Sequence, residues 1–277
     1  MELHASGADK DKRDFFHYLL TAVDPATGRG FDKPELWGEA NVLMIAGSDT
    51  TSTGLAATLY YLLRTPEKME KLKREVRGCF GDVSEIVSGR KMGECRYLRA
   101  VIDEALRLCP PVPALLPREV VAPQGLLLEC AGERYFLPMG TVVGVPIYAI
   151  HHNPAYFPSP WEFSPERWIV GDGVEEGLVE RAREAYTPFS IGSRGCIGKS
   201  LALMEMRLVV ARLVWEWEVE EVEGVSGKGR EWREGYRWMG GVRGGRGGEG
   251  RWDEFRVRDG FTSRKEGPVV RLRRRVV

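Results

Sequence analysis

Phe189-Ser190-Ile191-Gly192-Ser193-Arg194-Gly195-Cys196-Ile197-Gly198 encloses one cysteine in a glycine-bracketed loop, directly ahead of an apolar run with helical spacing. Leu201, Met204, Leu208 and Ala211 recur at intervals of three and four, which predicts a helix over roughly 198–214. A cysteine persists as thiolate near neutral pH only beside backbone N–H donors, a cation or the positive end of a helix. This segment offers all three, with Arg194 as the cation. Gly192, Gly195 and Gly198 allow tight turns and the close approach of a flat ligand. Cys196 is therefore a candidate metal ligand, whereas Cys79, Cys95, Cys109 and Cys130 lack such neighbours and read as small buried hydrophobes.

The 277 residues suffice for one large domain or two ordinary ones. Basic and acidic residues number 40 each, and the resulting formal charge of zero argues against coating nucleic acid or an anionic membrane. Five cysteines without a CxxC pair fit a reducing compartment better than a disulfide scaffold or a zinc site. Residues 1–13 are polar and read as neither signal peptide nor anchor. The apolar stretch 40–63 is broken by Asp49, by hydroxyl residues and by glycine, which makes it a poor membrane span.

Helical periodicity runs through 14–65, interrupted by a loop at Asp24-Pro25 and Gly28-Arg29-Gly30, with a long helix over about 35–64. Thr65-Pro66-Glu67 reads as N-cap, first-turn proline and first-turn acid of the next helix, whose stripe is Met69, Leu72, Val76 and Phe80. Another helix covers 98–108 and stops at Pro110-Pro111. Short β-type runs follow at 126–128, 134–137 and 141–145, then an ordered irregular segment over 151–170. Trp215-Glu216-Trp217-Glu218-Val219 alternates like a strand. Residues 222–250 are Gly/Arg-rich and nearly devoid of aliphatics, so a disordered insert is expected, and its Arg-Gly repeat, interleaved with glutamates, reads as solvated linker rather than RNA contact. β character returns over 251–277. The fold class is mainly α with small β-sheets (α+β), one domain over 1–221 that resumes as a hairpin region at 251–277.

Ala46-Gly47-Ser48-Asp49-Thr50-Thr51 sets an acid and hydroxyls in the middle of the long helix, where Leu43, Ala46, Gly47 and Thr50 share a face with room for a ligand. A threonine hydroxyl can divert a helix carbonyl and open a local distortion; Asp49 and Thr50 otherwise read as a kink or cap. Glu104 and Arg107 stand at i and i+3, close enough to pair among apolar neighbours. Pro165-Glu166-Arg167-Trp168 supplies a further arginine. Prolines stiffen Pro111-Val112-Pro113-Ala114-Leu115-Leu116-Pro117-Arg118 into an extended path. His151 and His152, taken as extended neighbours, point to opposite sides and do not make a metal site.

In this order the segments resemble the signatures of the cytochromes P-450, the haem-thiolate monooxygenases, in their eukaryotic and especially fungal form. The loop matches the pattern aromatic-x-x-Gly-x-Arg-x-Cys-x-Gly at every fixed position. The resemblance covers about 14–219 and resumes at Asp259-Gly260-Phe261-Thr262-Ser263. It implies the C-terminal haem-binding half of that fold and haem b (iron protoporphyrin IX) with Cys196 as axial ligand. Phe189 would shield the sulfur, Arg194, Arg118 and His152 would bond propionates, and Gly198 would let the helix approach the porphyrin. Asp49 and Thr50 would organise the proton delivery behind O–O cleavage. Glu104, Arg107 and Arg167 would form a buried network that fixes the cysteine loop. Leu43, Ala46, Gly47, Val112, Ala114, Leu115 and Leu116 would line the substrate pocket.

The implied reaction is hydroxylation or epoxidation of a small apolar organic substrate, of the kind found in secondary metabolism. It would use O2 and two electrons from an NADPH-dependent cytochrome P-450 reductase docking near Lys199, with no nucleic-acid partner. The family's N-terminal half has no counterpart here, so a truncated form is expected; the alternative is a non-catalytic fragment or interaction module. The resemblance implies the endoplasmic reticulum membrane, while the chain as given carries no anchor and would be cytoplasmic.

Overall fold

The structure, a computed structural model, describes residues 13–130, 132–171, 173–222, 255, 257–258, 262, 264–265 and 267–275. Apart from Val222, the expected disordered insert lies outside the described residues, and of Asp259–Ser263 only Thr262 is within them. Two compact units divide the chain, one ending at Ser48 and the other beginning at Asp49.

In the first unit, α1 (Phe15–Thr21) is capped by Asp14, whose carboxylate accepts from His17 N at 2.9 Å. A turn closed by Gly28 N donating to Asp24 O leads to α2 (Lys33–Arg64). Glu35 N donates to Asp32 Oδ1 at 2.9 Å and Asp32 N to Glu35 Oε2 at 2.8 Å, a reciprocal capping box that starts the helix slightly ahead of the position its periodicity implies.

In the second unit α2 becomes buried from Thr51 onward. The helices that follow are α3 (Pro66–Cys79), α4 (Arg90–Glu94), α5 (Arg96–Leu108), α6 (Ile147–His151), α7 (Glu176–Ala185) and α8 (Lys199–Glu216). Ala182 and Ala185 of α7 pack in a separate cluster with Ala100, Phe157 and Trp168, while the core shared by α2, α3, α4, α5 and α8 holds Leu62, Leu72, Val76, Leu98, Val101, Ile102, Val210 and Val214, all withdrawn from solvent. Burying each such side chain contributes about 1.5–3 kcal/mol. Gly54 lets α2 come close: a Cβ there would meet Met206 Cε at 2.9 Å and Leu106 Cδ2 at 3.0 Å. From Ala100 to Leu108 every residue of α5 is buried, so its polar side chains must find partners inside the protein.

The strands are β1 (Arg118–Glu119), β2 (Leu126–Cys130), β3 (Glu133–Leu137), β4 (Val142–Val143), β5 (Trp217–Glu221), β6 (Val257–Arg258), β7 (Arg264–Lys265) and β8 (Val270–Arg274). All pairs are antiparallel: β1 with β4, β2 with β3, β5 with β8, and β6 with β7.

Several expectations change. Thr65 precedes α3, but its hydroxyl donates back to Tyr61 O at 2.8 Å rather than capping the new helix. Trp215 belongs to α8 and not to a strand, because its indole N–H reaches Phe80 O at 2.9 Å across the core. His151 ends α6 instead of lying on an extended segment. The helix α7 went unread in the sequence: its inward positions are Val179, Ala182 and Ala185, and two alanines make a faint stripe.

Candidate active site

The cysteine loop folds back on itself. Cys196 N donates to Phe189 O at 2.8 Å, Gly195 N to Gly192 O at 3.0 Å, and Ser190 N to Thr187 O at 2.9 Å. The reversal requires left-handed backbone at Ser190 (φ 56°) and Gly192 (φ 73°). Phe189 packs on the hydrophobic core and anchors the loop's entry. Cys196 is exposed, two residues ahead of Gly198, which caps α8. The sulfur thus sits at the end of an 18-residue helix whose first N–H groups and dipole favour negative charge.

Behind the loop lies a fully buried carboxylate. Glu104 accepts from Arg107 Nε and Nη2 at 2.9 Å each, Arg167 Nε at 2.9 Å, Ser164 N at 3.0 Å and Trp168 Nε1 at 3.0 Å. Burial pushes the Glu104 carboxyl up, but the charges and hydrogen bonds of Arg107 and Arg167 outweigh it and hold the group below its ordinary range. Arg107 also donates to the carbonyls of His151, Pro160 and Glu162 at 2.8, 2.7 and 3.2 Å, and Arg167 to those of Pro158 and Ser159 at 3.0 and 3.3 Å. The irregular segment therefore takes its shape from one carboxylate and two guanidiniums.

His151 extends this network to the loop. Its Nε2 accepts from Thr187 N at 2.9 Å, which leaves the proton on Nδ1, 3.2 Å from Arg107 O. Burial, then the Arg107 charge, push its pKa down to about 3. Tyr186, next to Thr187, stacks on the His151 ring at 5.6 Å and donates to Asp103 Oδ1 at 3.0 Å. Sequence reasoning assigned His151 no role, and nothing in its neighbours signals one: its partners stand 44 and 36 residues away along the chain.

The remaining candidates are spread more widely. Leu43, Ala46 and Gly47 belong to the first unit and are exposed on α2. Asp49 is exposed and Thr50 half-buried where the second unit begins. α2 is α-helical through this stretch, with Thr53 Oγ1 and Ser52 Oγ donating to Asp49 O at 2.8 and 3.2 Å. Val112, Ala114 and Leu116 are half-buried, whereas Leu115 is exposed and packs over Gly144, where a Cβ would meet its Cδ1 at 2.9 Å. Arg118, on β1, donates to Pro117 O at 2.9 Å. His152 is buried between Tyr148 and Trp161, with ring centroids at 4.1 and 4.3 Å, and its Nδ1 meets Tyr148 O at 2.8 Å.

These residues fit a haem bound through sulfur. The donor is an exposed thiol at a helix N-terminus beside Arg194, and a Cβ at Gly198 would stand 3.8 Å from Cys196 Sγ, so glycine keeps the space beside the sulfur clear. Ile191, Ile197 and Leu201 expose apolar surface around it, suited to a flat hydrophobic ring.

Comparison with known proteins gives the family. The family model described as Cytochrome P450 matches residues 2–233, and the chain belongs to that family. It is 38% identical over 265 residues to the cytochrome P450 monooxygenase apf7 of Gibberella fujikuroi, covering 95% of this chain and 47% of the relative. It is 40% identical over 262 residues to the cytochrome P450 monooxygenase poxM of Penicillium oxalicum, covering 95% and 44% respectively. A crystal structure of a cytochrome P450 (CYP102L1) superposes with a TM-score of 0.73 at 26% identity, over 99% of this chain and 53% of that one. The chain thus spans about half the length of these relatives. Among the described residues, no helix is long and apolar enough to cross a membrane.

Proposed function

We propose that this chain carries the haem-binding part of a monooxygenase that hydroxylates or epoxidises a small apolar substrate, with electrons from an NADPH-dependent reductase. The observation that carries the reading is the exposed Cys196 in its hydrogen-bonded loop at the start of α8. Haem, when bound there, supplies the reductive activation of O2. Cys196 would hold the iron as thiolate, the first N–H groups of α8 stabilising its charge. Phe189 would keep water from the sulfur, and Arg194 and Arg118 would bind carboxylates of the cofactor. Asp49 would take protons from solvent and Thr50 pass them on through its hydroxyl. Val112, Ala114, Leu115 and Leu116 offer the apolar contacts that a small hydrophobic substrate needs.

The test is haem reconstitution followed by reduction and carbon monoxide. Thiolate ligation predicts a red-shifted Soret band in the wild type and its loss in Cys196→Ser. Absence of haem uptake, with a full-length relative as positive control, would instead make the chain a non-catalytic fragment.

A further inference from the structure

A cavity of about 210 Å³ lies between α7 and the irregular segment, and none of its lining residues belongs to the cysteine loop. Pro158, Val174, Leu178 and Ala182 give it an apolar side, and Arg167 gives the polar one. Arg167 Nε is spent on Glu104, while Nη1 and Nη2 each donate to a carbonyl, of Pro158 and Ser159, and both of those residues line the cavity too. A guanidinium carries five N–H donors, so one N–H remains on each terminal nitrogen, on a side chain only 10% exposed. Charge is also unbalanced there. Arg107 and Arg167 both bond to the single carboxylate of Glu104, which leaves one positive charge over in a buried cluster. Ser159 is held in left-handed backbone at φ 49°, strain of the kind that collects at ligand clamps.

We infer that this cavity binds a small organic monocarboxylate, its anion on the two remaining Arg167 N–H groups and its apolar body against Pro158, Val174, Leu178 and Ala182. The volume falls below the roughly 300–1,000 Å³ of drug-sized pockets, which limits the body to a single ring or a short aliphatic chain. A carboxylate accepts both N–H groups and offsets the leftover charge, which a neutral alcohol of the same shape does not. Glu162 also lines the cavity and opposes an anion, but it is exposed and screened by water, so it weakens affinity without barring entry. Because Arg167 also holds Glu104, an occupant adds to the contacts that fix the buried network, and binding should raise the thermal midpoint.

The experiment titrates benzoate into the full chain and reads binding by saturation-transfer NMR. The expected result is saturable binding about ten-fold or more tighter than that of benzyl alcohol, which keeps the ring and lacks the charge. Glu162→Gln removes the like charge and should tighten benzoate by about two- to five-fold. Leu178→Asp, an exposed change on α7 that leaves Arg167 and its partners in place, should weaken it by about ten-fold or more while the far-UV circular dichroism stays that of the wild type. Photolysed 4-azidobenzoate should label peptides within 156–182, and excess benzoate should protect them. The affinity should be the same with haem added, so failure of haem uptake leaves the test intact. Benzoate bound no tighter than benzyl alcohol, an affinity unchanged in Leu178→Asp, or label confined to the cysteine loop would overturn the inference.

Discussion

The His151 ring accepts the Thr187 backbone N–H at 2.9 Å and so ties the end of α6 to the entry of the cysteine loop. Its other nitrogen faces Arg107 O at 3.2 Å, which places the ring between the buried Glu104 network and the segment that presents Cys196. Both contacts require the neutral imidazole with its proton on Nδ1.

The pKa of His151 in the folded protein, about 3, lies below its ordinary 6.5. Between those values the unfolded chain binds a proton that the folded chain refuses, so stability falls as pH falls, by up to about 1.4 kcal/mol per pH unit. Glu104, held below 4.5, and Glu166, held near 2 although burial opposes it, act in the same direction: their contribution is present above about 4.5 and lost on further acidification. Urea unfolding at stepped pH should show the decline beginning near 6.5, and His151→Phe should flatten the slope between 6.5 and 4.5. At neutral pH that variant loses the acceptor for Thr187 N and should be about 1–3 kcal/mol less stable.

Removing Arg107 leaves Glu104 buried with two hydrogen bonds fewer and frees three carbonyls of the irregular segment. Arg107→Met should cost about 3–5 kcal/mol, read from chemical unfolding. Arg107→Lys should restore little of it, since an ammonium cannot reproduce the planar fork.

Gly192 adopts a φ of +73°, and nothing lies within 4 Å of the Cβ it lacks. The cost of Gly192→Ala is therefore backbone strain alone, about 1–2 kcal/mol by thermal or urea unfolding. Ser190 already bears such strain at φ 56°, so Ser190→Gly should be neutral or slightly stabilising in the same assay.

Because Cys196 is exposed, Cys196→Ser should change unfolding free energy by no more than about 0.5 kcal/mol. The thiolate absorption should be lost completely. A variant that lost both fold and spectrum would show the thiol to be structural.

Local chemistry made much of this protein legible from its residues. The Cys196 loop could be read because its glycines, arginine and following helix lie within ten residues, and α3 and α5 because their apolar periods repeat several times. Glu104 and Arg107 could be paired because helical geometry fixes the i,i+3 distance. Contacts between distant segments decided the rest. His151 is a helix-ending, uncharged link only because α5 and Thr187 converge on it. Trp215 stays helical because Phe80 O awaits its indole, and the start of α5 lies on α3 because Glu75 accepts from Tyr97 N and Leu98 N. Motifs within one turn or loop are set by covalent spacing and backbone sterics, so the sequence determines them directly. Burial, pKa and side-chain partnership depend on which surfaces pack together, and that packing exists only once the chain has folded.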